Sequence, residues 1–134
     1  MELRLDWIGV QVFSLEESIA FYRDGLGLRL KHASEDIAIL VTPDGITIEL
    51  FAGGLRSVAP RLWAGVNARM PGFEVQDLPR AAEHLKGRGV NFITPIEVED
   101  WGRFAYFVDP DGNQWQLHEN GRFEATESAA ASPA

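Results

Sequence analysis

Cysteine is absent from the 134 residues, which excludes disulfides and thiolate metal sites. Long apolar runs are missing too. The longest aliphatic stretch, Ile37 to Val41, is five residues, far short of the roughly 20 that a membrane-spanning helix needs. The N-terminal sequence MELRLDW carries charges where a signal peptide would carry an apolar stretch, so a cytoplasmic location is expected. Basic residues are scarce, 12 Lys+Arg against 20 Asp+Glu. The resulting formal charge of −8 argues against a nucleic-acid partner, whose binding depends on neutralising phosphates. Surplus acid keeps a small protein soluble and also favours cationic ligands. No serine stands at a strand-to-helix elbow, and neither Gly53-Gly54 nor Gly25-Leu26-Gly27 has the spacing of a phosphate-binding loop.

What is present is an internal repeat. The stretch from Gly9 to Leu15 aligns with Gly72 to Leu78 at an offset of 63 residues, and Pro43 to Leu50 aligns with Pro110 to Leu117 at an offset of 67. Each half reads as strand, helix, then strands around a Pro-Asp-Gly turn. In the first half, Leu5 to Val12 is rich in β-formers, and Ser14 with Glu17 makes a capping box for a helix. Leu15, Ile19, Tyr22 and Leu26 then recur at helical spacing until Gly25 and Gly27 stop it. Ile37 to Thr42 and Ile46 to Phe51 flank Pro43-Asp44-Gly45 as a hairpin. In the second half, Asp77 is the N-cap, Pro79 sits in the first turn, Leu78, Ala82 and Leu85 face inward, and Gly87 and Gly89 close the helix. Phe104 to Val108 and Gln114 to His118 make the last hairpin, with Trp115 on its core side.

The expected architecture is an α+β domain over residues 1–119, made of modules 3–52 and 67–119 joined by a connection, 53–66. Trp63 in that connection is a candidate dimer contact. Residues 120–134, including EATESAAASPA, lack a periodic apolar face and read as a disordered tail.

The residues that carry this repeat resemble the vicinal-oxygen-chelate superfamily of glyoxalases, extradiol dioxygenases, and bleomycin- and fosfomycin-resistance proteins. The carriers are Leu5-Asp6-Trp7-Ile8-Gly9-Val10-Gln11-Val12, Ser18-Ile19-Ala20-Phe21-Tyr22 with Leu26-Gly27-Leu28, Ile46-Thr47-Ile48-Glu49-Leu50, Trp101-Gly102, and Asp109-Pro110-Asp111-Gly112-Asn113. The resemblance spans nearly all of residues 3–119. It implies two tandem βαβββ modules whose mixed sheet curls around a cleft, usually in a homodimer.

Metal-using members of that family draw one ligand from the first strand and one from the last strand of each module, commonly His, Glu, His and Glu. Carried onto this chain, those positions fall on Trp7, Glu49, Met70 and Gln116, and the offsets of 63 and 67 relate them pairwise. Three of the four have lost ligand chemistry. Indole nitrogen has no free lone pair, thioether sulfur suits copper(I), and a carboxamide oxygen is neutral and weak. No metal is therefore expected. Strand alternation sets Trp7, Gly9 and Gln11 on one face, with Thr47, Glu49 and Phe51, then Met70, Gly72, Glu74 and Gln76, and finally Gln114, Gln116 and His118. Glu74 and His118 stand about 13 Å and 7 Å along their strands from the family positions, too far for bonds of about 2.1 Å. His84 is expected on the surface or against its helix, and His32 in solvent.

What the cleft retains is aromatic and acidic. The candidate ligand-binding residues are Trp7, Gln11, Glu49, Phe51, Met70, Glu74, Trp101, Gln116 and His118. This pattern suits a metal-independent small-molecule binding protein that holds an aromatic or cationic ligand. Trp7 and Met70 filling a vestigial cavity, with Glu49 held by Gln116 or Gln11, is the structural alternative. The enzymatic alternative is a metal-dependent or carboxylate-based enzyme of the same superfamily using Glu49, either a lyase or isomerase with Glu49 as general base or a dioxygenase with a rearranged site, although without a metal no stabiliser for an enolate is visible.

Overall fold

The computed structural model describes residues 1–56 and 69–119. The expected tail, most of the connection, and Trp63 with its suggested dimer contact lie outside the described residues.

The chain divides into two compact units, one of residues 1–60 with 109–113 and the other of residues 61–108 with 114–134. In the first unit, β1 (Trp7–Val12) is followed by α1 (Leu15–Ile19), a π-helical segment (Ala20–Gly25), β2 (Arg29–Ala33), β3 (Ile37–Val41) and β4 (Thr47–Ala52). The sheet order is β1-β4-β3-β2, with β1 parallel to β4 and the other pairs antiparallel. The second unit runs β5 (Gly72–Val75), α2 (Leu78–Gly87), β6 (Asn91–Phe92), β7 (Glu97–Glu99), β8 (Gly102–Val108) and β9 (Gln114–Glu119). Its order is β5-β9-β8-β6, and β7 also pairs β8. This is a mixed α+β fold of two sheets. No helix among the described residues is long and apolar enough to cross a membrane.

Hydrophobic alternation decides which sheet face is covered. On the first sheet Val10, Val12, Ala38, Leu40, Ile48 and Leu50 are buried, so the even-numbered side chains form its core. On the second, Phe107, Trp115 and Leu117 are buried with Leu78 and Ala82 of α2. Phe73 stacks on the Trp115 ring at 4.8 Å between centroids.

The repeat is written into the pairing register. Gly9 lies opposite Glu49 on the β1–β4 ladder, and Gly72 lies opposite Gln116 on the β5–β9 ladder. Those pairs are related by the two sequence offsets, 63 and 67.

Three local expectations are corrected. The first helix does not stay α-helical. Leu26 N–H bonds the Phe21 carbonyl five residues back, and this wider turn buries Gly25 and Ser18 beside Tyr22, while Leu15, Ile19 and Leu26 are half-buried. The capping box forms on one side: Glu17 N–H donates to Ser14 Oγ at 3.2 Å, but the Glu17 carboxylate pairs with Arg56 instead of returning to the cap. Met70 is not in a strand. Pro71 has no N–H to donate, so pairing starts one residue later, where Gln116 N–H donates to the Pro71 carbonyl at 3.0 Å. The second helix follows its expected caps, with Asp77 accepting from Arg80 N–H at 3.1 Å and Pro79 in the first turn.

The Asp109–Asn113 turn is the polar anchor of the first unit. Asp109 accepts from Tyr22 Oη at 2.7 Å, Asn113 Nδ2 at 2.8 Å, and the N–H groups of Asp111 and Asn113 at 2.9 and 2.8 Å. Burial nonetheless pushes its carboxyl above the ordinary value, and these bonds offset only part of that push. Asp111 accepts from Phe13 N–H at 2.9 Å and Arg56 Nε at 3.1 Å. Asn113 Nδ2 donates to the Gln11 carbonyl at 3.2 Å, which fixes the end of β1. In the second unit Glu119 accepts from Arg103 Nε at 2.7 Å and from Leu78 N–H at 3.2 Å. Arg103 holds its carboxyl below the usual range against the opposing effect of burial, and the Leu78 N–H at the start of α2 adds to the lowering.

Candidate functional site

On the first sheet, the side chains opposite the core share one partly open face. Trp7, Gly9 and Gln11 of β1 stand against Thr47, Glu49 and Phe51 of β4, which stand against Val41, Ile39 and Ile37 of β3. Trp7 is 49% exposed, unusual for so large an apolar ring. Its ring folds over Gly9 toward Phe51, with centroids 6.5 Å apart and planes tilted by 60°. Gly9 makes this possible. A Cβ there would stand 3.0 Å from Trp7 Cζ3 and 3.4 Å from Phe51 Cε2. Glu49 is half-buried, and Thr47 Oγ1 donates to its Oε2 at 3.1 Å. An aromatic corner and a carboxylate therefore stand on adjacent positions of one rigid ladder.

His32 joins this face, which the sequence does not suggest. A register shift between Leu30 and His32 sets the imidazole opposite Ile39, in the row that continues to Glu49 and Gly9. It is exposed, as expected, and two strand spacings, about 10 Å, separate it from Glu49. Direct proton transfer between them is out of reach.

The second sheet presents an analogous face. Gly72 and Glu74 of β5 stand against Gln116 and His118 of β9, which stand against Tyr106 and Phe104 of β8. Gln116 Nε2 donates to Tyr106 Oη at 3.3 Å. A Cβ on Gly72 would meet His118 Nδ1 at 3.4 Å, so here an imidazole occupies the space that an indole occupies over Gly9. Trp101 stacks on Phe104 at 4.7 Å, and Phe104 meets Tyr106 edge-on at 5.4 Å. Trp101 thus lies in the turn between β7 and β8, just after the short strand that the acidic segment Glu97–Glu99 forms. Glu74 is exposed on the edge strand and Met70 is half-buried before it.

The nine sequence candidates fall into two sets. Trp7, Gln11, Glu49 and Phe51 share the first face, and Glu74, Gln116 and His118 share the second, with Trp101 and Met70 at its ends. Tyr106 was missed. The signal was there: the Asp-Pro-Asp-Gly turn fixes the β8–β9 register, which sets Tyr106 opposite Gln116. His84 is exposed on α2. Among the described residues no group of three or more His, Asp or Glu side chains converges as a metal site would require.

Residues 4–117 match the family described as the Glyoxalase/Bleomycin resistance protein/Dioxygenase superfamily. The chain belongs to that superfamily. Its fold recurs in a glyoxalase/dioxygenase from Nostoc punctiforme, at 22% identity and a TM-score of 0.72, covering 87% of this chain and 90% of that one. A glyoxalase family protein from Enterococcus faecalis matches at 20% identity and a TM-score of 0.72, over 87% and 97% of the two chains. A genomically encoded fosfomycin resistance protein from Listeria monocytogenes matches at 20% identity and a TM-score of 0.68, over 90% and 95%. At these identities the likeness is one of fold. No curated protein matches the chain.

Proposed function

We propose that this superfamily member is a metal-independent small-molecule binding protein that takes an aromatic cation on the face built by Trp7, Phe51 and Glu49. The observation that carries the reading is the exposed Trp7 ring at the first family ligand position, tilted against Phe51 on the ladder that presents the Glu49 carboxylate. An open indole face attracts a cation through its quadrupole, and a neighbouring carboxylate selects positive charge.

The residues at the family metal positions do not fit a divalent ion. Trp7 offers a ring with no donor lone pair, Met70 offers a soft thioether, and Gln116, whose amide NH2 donates to Tyr106, offers only a neutral carboxamide oxygen. Glu49 alone retains ligand character. A lyase or isomerase using Glu49 as base is the second superfamily reading, and the same variants separate the two.

Tryptophan fluorescence is to be titrated with phenyltrimethylammonium and with its neutral isostere, tert-butylbenzene. Saturable quenching by the cation is expected. Glu49→Gln should weaken the cation by about tenfold and leave the neutral compound nearly unchanged, since one charge-assisted contact is worth about 1.5 kcal/mol. Equal weakening of both compounds, or none of either, would remove Glu49 from the site.

A further inference from the structure

We infer that the face with Trp7 and Glu49 continues at its far edge into a carboxylate subsite built by Arg29, and, resting on the cation reading for the other end, that its ligand is a zwitterion. The ladders set Arg29 in a row with the indole. Arg29 pairs with Val41, Val41 with Thr47, and Thr47 with Trp7, and residues directly opposite one another on a ladder project to the same face. The next row runs His32, Ile39, Glu49, Gly9. The face is thus graded from strand to strand: aromatic and acidic on β1 and β4, apolar at the half-buried Val41 and Ile39 of β3, and basic at the exposed Arg29 and His32 of β2. Two strand spacings, about 10 Å, separate β2 from β4, which leaves room for an apolar body between opposite charges.

Two further observations single out Arg29. A cleft of about 320 Å³ opens at this corner of the face, lined by Gly27, Arg29, Val41, Thr42, Pro43 and Gly45. Such a volume accepts a carboxylate with part of its chain. The Arg29 guanidinium has no ion-pair or hydrogen-bond partner among the described residues, whereas Arg23, Arg56 and Arg103 each pair with a carboxylate. Asp44, the acid nearest the cleft in sequence, accepts from Thr42 Oγ1 instead. A planar guanidinium fork matches a carboxylate with two parallel bonds, and the imidazole of His32 offers a further donor one row away. The formal charge of −8 disfavours a simple anion and favours a ligand whose cationic end is attracted first.

Two probes test this, 4-[4-(trimethylammonio)phenyl]butanoate and its methyl ester, which keeps the cation and loses the carboxylate. By tryptophan fluorescence the acid should bind about tenfold more tightly than the ester, and Arg29→Gln should abolish that gain without changing the ester. Arg29→Lys should keep part of it, as a point charge without the fork. Arg29 is exposed on β2, so far-UV circular dichroism should be unchanged. An ester that binds while the acid gains nothing, or a gain that survives Arg29→Gln, would overturn the carboxylate subsite and leave the cation face standing. If neither probe quenches, the cation reading fails, and the backbone amide shifts of Gly27, Thr42 and Gly45 then decide the subsite. The acid should still move them in the wild type and not in Arg29→Gln; unmoved amides would overturn the subsite as well.

Discussion

Asp109→Ala is expected to lower unfolding stability by about 3 kcal/mol or more, measured by urea denaturation, because it removes the buried carboxylate that accepts four hydrogen bonds at once. Asp109 is 3% exposed and Tyr22 fully buried, so water cannot replace the lost carboxylate. Its bonds from Tyr22, Asn113 and two backbone N–H groups hold the turn, and Asn113 in turn holds Gln11. Asp109→Asn should cost less, about 1–2 kcal/mol, since a carboxamide oxygen still accepts from the backbone while its NH₂ opposes the Asn113 amide. The pH dependence has a definite sign. Burial raises the folded-state value above the ordinary carboxylate value, so the folded chain holds this proton more tightly than the unfolded chain. That contribution is complete below the unfolded value and disappears as pH rises through the raised folded one. The slope should vanish in Asp109→Asn.

Trp115→Ala should cost about 3–5 kcal/mol in the same measurement. Trp115 is 2% exposed and stacked on Phe73, with Phe73 stacked in turn on Phe107 at 6.3 Å, so truncation opens a cavity whose walls are rigid rings. Trp7→Ala should cost only about 1 kcal/mol, because half of that ring is already in water and no cavity is enclosed. The two tryptophans separate a structural role from a surface one by strand phase alone.

That phase was legible in the sequence. The offsets of the repeat, 63 and 67, reappear as ladder registers, and alternation on Gln114-Trp115-Gln116 placed the indole inside. What escaped the sequence has physical causes. The strands Arg29–Ala33, Asn91–Phe92 and Glu97–Glu99 are short or charged, so they show no apolar alternation and exist through pairing with their neighbours. The bulge at Lys31 reverses the phase after it and moves His32 onto the face of Glu49, which no periodicity could show. Glu17 leaves its cap for Arg56, 39 residues away, a competition that local sequence does not contain. The choice of Trp7 and Glu49 came from family positions, and the ladder places both on one face of the first sheet.

In the proposed function, an exposed indole and a neighbouring carboxylate bind an organic cation without a metal. The direct measurement is titration of chelator-dialysed protein with phenyltrimethylammonium, followed by tryptophan fluorescence with and without added zinc, manganese or iron(II). Saturable quenching that is the same in every condition, and lost in Trp7→Ala, is predicted. A flat response, or quenching that needs an added divalent ion, would contradict it.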